Sequence, residues 1–434
     1  EPDWPKGWRP YLALFACFFL MFNSWGFVNG YGTFGSYYYQ HLLRGTNILL
    51  INLIGSSQCF FILAPSVAMG RLLDAGYQRP LLVAGTILTS LGMTLTGVVN
   101  HGTDAGGGSY GLTYLMQGFL MPLGMACFFV ASSQIAATWF AKKKSIVVGI
   151  VACGASIAGL VYPVMMKFLL AAIGFKKMTA CIGALSFLLC AFAVVFAQPP
   201  AKWFEEKKTK PEKWLEVETF FDPSAFKNAA FRWCVASVTL MFFGFYAVFF
   251  NLEEWAAVEG YGKKDAVPGV IDEVTTPSHQ EIDRGSDDAI RTFYLLSIMN
   301  ACSTIGRIGS AIASERFGAP AIHALVTFVS ALLVLCFQTT LSSVGGAVAF
   351  VVLFGAFSGA VIGLPPACVF FVLEHDEKAD KRKLGQWTGM MYTIAAPFAL
   401  TGPIIAGAII QYTGGYLGAH LWSGTCLFLS AFCM

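Results

Sequence analysis

The sequence predicts an all-α membrane protein whose twelve transmembrane helices form two pseudo-symmetric six-helix bundles. Three observations carry that prediction. First, 56% of the 434 residues are hydrophobic and 12% are charged, at a mean hydropathy of +0.63. A soluble domain carries roughly 25% charged residues, so this chain has too few charges to cover a surface facing water. Second, apolar runs of roughly 20 residues, the length that crosses a hydrocarbon core, recur along the whole chain. Third, the halves repeat: GRLLDAGYQRP (70–80) follows the second run and AIASERFGAP (311–320) follows the eighth. Basic triplets likewise precede the fifth run, at 142–144, and the eleventh, at 381–383.

Taken in order, the runs predict helices near 8–38, 47–73, 79–99, 110–139, 145–172 and 178–197 in the first half. The first is the least lipid-like, because its outer part reads FNSWGFVNGYGTFGSYYYQ (22–40). On a helix Trp25, Asn29, Gly32 and Ser36 share one face, at i, i+4, i+7 and i+11, while Gly26 and Gly30 form a separate ridge of small residues. Small ridges let helices approach closely; an asparagine amide facing lipid is costly and needs a polar setting. Pro199 and Pro200 then open a stretch dense in both charges, 198–228, which reads as a cytoplasmic linker. The second half, 229–434, gives runs near 230–254, 290–313, 319–341, 343–373, 384–411 and 416–434. Residues 257–289 are acidic, include Pro268 and Pro277, and are expected to form a long extracellular loop. The domain division is therefore 1–197, 198–228 and 229–434. An even number of spans puts both termini on one side, and loops such as AKKK (141–144) and KRK (381–383) make that side cytoplasmic.

The composition also excludes. The twelve cysteines form no CxxC pair and lie almost entirely within apolar runs, so they read as small packing residues and imply neither a disulfide scaffold nor a metal site. No cofactor is expected. No nucleotide-binding loop and no nucleophile with a matching base is found, which argues against an enzyme. The basic residues are spread among inner loops, so no nucleic-acid partner is expected. The chain opens at Glu1 without a cleavable signal pattern and stops at Met434 within a run, and trimmed tails are expected at both ends.

Several motifs are familiar. Gly70-x-x-x-Asp74 followed by Arg79 resembles the loop signature of the major facilitator superfamily, whose fold has parallel six-span halves with a site between them at mid-membrane. Within it the chain looks like the fungal branch of the monocarboxylate transporter family. That resemblance rests on Pro2-Asp3 with Gly7-Trp8, TWFAKKKSIVVGIVACGASIAG (138–159), SIMNACSTIGRIGSAIASERFG (297–318) and TGPIIAGAIIQYTGGY (401–416). The departures are as informative. Where animal lactate carriers of the family place a lysine and an aspartate, this chain has Asn29 and Ser303; the family's arginine is kept as Arg307. Tyr114 stands where drug–proton antiporters have an arginine, ahead of Gln117-Gly118. The resemblance implies alternating-access transport in the plasma membrane of a fungal cell, for substrates ranging from carboxylates and riboflavin to exported secondary metabolites.

The candidate site follows from polar and aromatic residues inside the runs. Asn300, Ser303, Thr304 and Arg307 share a face of the eighth run, and Arg307 is a charge well inside a span, where a cation costs roughly 3 kcal/mol. A substrate carboxylate or enolate held by the planar guanidinium would offset that cost. Phe242, Tyr246, Phe249 and Glu253 align along the seventh, and Tyr392 lies ahead of Pro397 and Gly402-Pro403 in the eleventh. Trp25, Asn29, Phe242, Tyr246, Phe249, Asn300, Arg307 and Tyr392 are therefore the expected substrate-binding residues. Asp74 with Arg79 and Glu315 with Arg316 are expected to latch the halves at their inner ends. Glu253 and Glu254 are the candidates for proton coupling. The expected cargo is a bulky, partly aromatic organic acid moved outward by a monomer in the lipid bilayer, with protons as the candidate co-substrate. Uptake of a monocarboxylate or riboflavin-like nutrient is the alternative. A substrate sensor on a transporter fold is a third reading, and the linker of about 30 residues is short for a signalling domain.

Overall fold

A computed structural model describes residues 5–100, 107–140, 143–200, 221–262, 291–376 and 384–434. Most of the linker, most of the 257–289 loop, Lys142, the triplet 381–383 and the side chain of Asp74 lie outside the described residues. Nearly all of the described chain is helical: α1 Arg9–Phe22, α2 Trp25–Asn29, α3 Tyr31–Tyr37, α4 Ile48–Leu73, α5 Gln78–Val99, α6 Tyr110–Trp139 and α7 Lys144–Phe196 in the first half. The second half holds α8 Ala229–Val258, α9 Thr292–Phe317, α10 Ala319–Thr340, α11 Val344–Gly363, α12 Pro365–His375, α13 Leu384–Thr413 and α14 Leu417–Phe432. Among the described residues nine of these are long and apolar enough to cross a membrane, and α1 and α14 are shorter apolar helices.

The breaks have local causes. The first run is not one helix: Ser24 leaves helical geometry at φ −104° and ψ −94°, Asn23 folds its amide back onto Phe19 O at 2.9 Å, and Ser24 Oγ bonds Met125 O at 3.1 Å. Conversely, the fifth and sixth runs join as the 53-residue α7, which turns at Gly174, φ 76° and ψ 169°. A residue bearing Cβ resists that backbone. The tenth run divides at Leu364, ahead of Pro365-Pro366, into α11 and α12. Side-chain caps start other helices: Asn47 for α4, Asn228 for α8 and Ser343 for α11.

The molecule buries polar groups and exposes apolar ones, as a protein dissolved in lipid must. Phe15, Ile87, Leu188, Ile305 and Leu325 point outward, while Asn29, Gln58, Asn300 and Arg307 are buried. On α9 this sorting is sharp, with Ile305 72% exposed and Arg307, two residues on, only 4%. The packing of the first half recurs in the second: α1 lies on α7 as α8 lies on α13, and α5 on α7 as α10 on α14. Two related seams join the halves, α7 against α9 and α4 against α13.

Candidate functional site

The site lies where these seams meet α3 and α8. We call the end of the bundle where α1 begins and α4 ends the near end, and the end where α3 ends and α4 begins the far end. At the far end the halves are sealed. Gly32 makes the approach possible, since a Cβ there would stand 2.7 Å from Phe249 O. The Thr33 hydroxyl donates to Glu253 Oε1, and Ser36 Oγ and Gln40 Nε2 donate to Glu254 Oε1 at 2.8 and 3.0 Å. Beside them Asn52 Nδ2 bonds Asn251 Oδ1 at 3.2 Å, and Tyr31 meets the Phe250 ring edge-on, with centroids 5.1 Å apart. Glu253 and Glu254 are both buried. Each is thus held by a neutral donor from the other half.

Ring stacking and amides fill the centre. Trp25 stacks on Tyr246 at 5.7 Å between centroids and meets Phe129 edge-on at 5.4 Å; Tyr392 packs edge-on against Phe129 and Phe242. Tyr246 OH donates to Asn29 Oδ1, Asn29 Nδ2 to Ala155 O and Asn300 Nδ2 to Asn29 O, each at 3.4 Å. Among the described residues, Trp25 Nε1 has no acceptor and Asn300 Oδ1 no donor, and both are buried. A donor and an acceptor are left over at the centre, where buried polar groups are ordinarily paired. Phe249 stacks on Phe245 and lies tilted against both Phe354 and Tyr246, all within the second half. The ridge of Gly26 and Gly30 meets α7: a Cβ at Gly26 would lie 2.2 Å from Ala158 Cβ, and one at Gly30 3.3 Å from Pro163.

Arg307 is tied into the α7–α9 seam. Its Nη1 donates to Ala152 O at 3.1 Å and its Nε to Ser303 Oγ at 3.4 Å, while Ser303 Oγ lies 2.9 Å from Ser156 Oγ. Among the described residues no carboxylate stands within ion-pair distance of it. Ser303 therefore serves as a bonding partner for the guanidinium.

At the near end the halves part around a cavity of about 250 Å³. Phe129 and Tyr392, which pack edge-on against each other, belong to its wall, together with Gln134, Lys144, Phe370 and Leu384. Three of the expected latch residues have described side-chain contacts. Glu315 meets Lys143 of the first half at 3.2 Å, Arg316 lies over the Phe317 ring, and Arg79 Nε donates to Gln198 Oε1 at 3.2 Å. Asp74 stands at the end of α4, with its side chain outside those described.

Sequence reasoning missed Thr33, Gln40, Asn52, Asn251, Phe129 and Lys143. The rule that singled out Asn29 and Asn300, an amide inside an apolar run, also fits Asn52 and Asn251. Phe129 gave no signal, being one phenylalanine among 39.

A helical bundle with lipid-facing apolar sides, two similarly packed halves and a cavity between them, closed at one end and open at the other, is the build of a membrane carrier. The sequence agrees: residues 12–379 match the model of the Major Facilitator Superfamily, and the chain belongs to that family of transporters. It is 26% identical to the MFS-type transporter dbaD of Emericella nidulans, over 95% of this chain and 82% of that one. It is 25% identical to the aspyridones efflux protein apdF of the same organism, over 98% of this chain and 76% of that one. The agnestins efflux protein AgnL12 of Paecilomyces divaricatus is 26% identical, over 98% of this chain and 86% of that one. The fold matches the nucleoside transporter NupG with a TM-score of 0.66 at 13% identity, over 97% of this chain and 98% of that one. It matches FucP in its outward conformation at 0.59 and 15%, covering 98% of each chain. The chain is an integral membrane transporter, and transporters of this family are not enzymes.

Proposed function

We propose that the protein exports a bulky, ring-containing organic acid by alternating access, with twelve crossings, the near end and termini cytoplasmic, and the fungal plasma membrane as its site. The carrying observation is the set of rings from both halves, Trp25, Phe129, Phe242, Tyr246 and Tyr392, lying between the sealed end and the cavity. Flat rings favour flat, apolar cargo, and the unpartnered Trp25 Nε1 and Asn300 Oδ1 supply a donor and an acceptor to orient it. The efflux proteins among the relatives support the same direction. At 53 residues α7 extends roughly 80 Å if straight, more than twice a hydrocarbon core of roughly 30 Å, so its turn at Gly174 fits two crossings. The test is counterflow in proteoliposomes with 1-naphthoate against acetate. Faster exchange of naphthoate, slowed by Tyr246→Ala, is the expected result. Preference for acetate would replace the proposal with monocarboxylate uptake.

Proton coupling is a second proposal, favoured by the burial of Glu253 and Glu254 between the halves. Coupling would need one of them to change protonation as Thr33, Ser36 and Gln40 release it. Naphthoate exchange driven by a pH gradient in the wild type but not in Glu253→Gln or Glu254→Gln is expected; a gradient effect surviving in both variants excludes these residues as carriers.

A further inference from the structure

The near-end cavity contains a cation that the central site does not use. Lys144, the first residue of α7, lines this cavity, and its ammonium lies 5.1 Å from the centroid of the Phe370 ring across the opening. Its neighbour Lys143 has its charge engaged by Glu315. Lys144 has no carboxylate within ion-pair distance among the described residues. A ring face compensates an ammonium more weakly than an anion does. Ser133 and Gln134 of α6 and Thr388 of α13 add hydroxyl and amide groups to a wall otherwise formed by Phe129, Phe370, Leu384 and Tyr392. Arg307, by contrast, is 4% exposed, bonded to Ala152 O and Ser303 Oγ, and absent from the cavity lining.

We propose that the near-end cavity is an anion-selective capture site, taking an organic acid of about two fused rings with the rings against Phe129 and Tyr392 and the acid group on Lys144. The volume of about 250 Å³ suits this cargo, falling just under the roughly 300–1,000 Å³ typical of small-molecule sites. The site rests on the reading of the protein as a carrier of ring-containing acids, and it assigns the anion's partner in this conformation to Lys144 instead of Arg307. The opening spans both halves, so an acid bridging Lys144 on α7 and Tyr392 on α13 touches the two bodies whose relative motion would move it.

The test uses the full chain in nanodiscs, with empty nanodiscs subtracted, and two fluorescent probes of one skeleton. 8-Anilinonaphthalene-1-sulfonate carries an anion, and N-phenyl-1-naphthylamine does not. Lys144→Gln should weaken binding of the sulfonate roughly tenfold, the scale of one charge-assisted hydrogen bond. It should move the neutral amine by less than about twofold, which also reports a folded protein. Lys144→Arg should retain the sulfonate preference, and Lys143→Gln should leave both affinities in place. Equal weakening of both probes by Lys144→Gln, or no weakening of either, overturns the proposal. If the sulfonate preference behaves as expected while naphthoate exchange in liposomes fails, the transport reading falls and the site stands. If exchange proceeds while Lys144 plays no part in binding, the site falls and the transport reading stands.

Discussion

The two ends of the bundle hold the halves together by different chemistry. At the far end buried carboxylates accept from neutral hydroxyl and amide donors, Thr33, Ser36 and Gln40, beneath a layer of close backbone approach at Gly32. At the near end the halves stand apart around a cavity, and a single ion pair among the described residues, Lys143 with Glu315, crosses between them with both side chains 31% exposed. A charge-assisted hydrogen bond removed from water keeps its strength, whereas a solvated ion pair is screened and contributes little. On this chemistry the sealed end is expected to set most of the balance between conformations, although the near end displays the opposite charges.

The strongest way to break this comparison is to prevent the seal. Gly32→Val would place a Cβ 2.7 Å from Phe249 O and 3.1 Å from Leu296 Cδ2, and backbone carbonyls do not yield as flexible side chains do. Overpacking at a close contact costs about 3 kcal/mol, which lowers the far-end-closed population on the order of 100-fold. Naphthoate exchange should fall accordingly, and a cysteine placed at Gln40 should become reactive to a membrane-impermeant maleimide. Normal exchange with an unreactive cysteine would show that Gly32 does not govern closure.

Next in size is Arg307, which belongs to neither end and ties α7 to α9 between them. Arg307→Ala removes bonds to Ala152 O and Ser303 Oγ and should cost about 2 kcal/mol, roughly thirtyfold in exchange rate. Arg307→Lys should recover part of this, because an ammonium lacks the planar fork that reaches both acceptors. A folded Arg307→Ala protein transporting at the wild-type rate would remove this residue from the mechanism.

A smaller effect is expected from thinning the seal itself. Thr33→Val keeps the shape and deletes the donor to Glu253. Losing that bond should favour far-end opening by about 1.5 kcal/mol, roughly tenfold. Maleimide reactivity at Gln40 measures it again, and an unchanged rate would mean that the carboxylate's other contacts hold the seal unaided.

How much of this was legible before the structure depends on the kind of signal. Helices in lipid are visible as apolar runs, because every backbone group must be satisfied within the segment. The face shared by Trp25, Asn29, Gly32 and Ser36 could be read from spacing alone: Trp25, Asn29 and Ser36 contact Tyr246 and Glu254, and Gly32 approaches Phe249 O. Arg307 stood out because a buried cation is expensive, but its cost is offset by Ala152 O and Ser303 Oγ, and no spacing rule identifies a backbone carbonyl 155 residues away. Breaks were harder to see. The kink at Ser24 follows from a side-chain bond to Met125 O, a tertiary event, and Gly174 was one glycine among 45 until its φ of 76° was known. The partner of Glu315 was obscured for a related reason: Arg316 adjoins it in sequence, and Lys143 reaches it only through the α7–α9 seam.

The smallest expected effect sits at the near end and sharpens the comparison most directly. Lys143 and Glu315 form the only ion pair between the halves among the described residues, at 3.2 Å, yet each side chain remains 31% exposed. Exposed pairs contribute about 0–1 kcal/mol, so Lys143→Gln should change the exchange rate by no more than about fivefold. Charge reversal of both residues, Lys143→Glu with Glu315→Lys, should restore even that change. The residual effect should fade as salt rises and the screening length shortens, whereas the Thr33→Val effect should persist, since the seal is buried and bonded by neutral donors. A loss of roughly tenfold or more for Lys143→Gln, insensitive to salt, would place the dominant latch at the near end and reverse the order argued here.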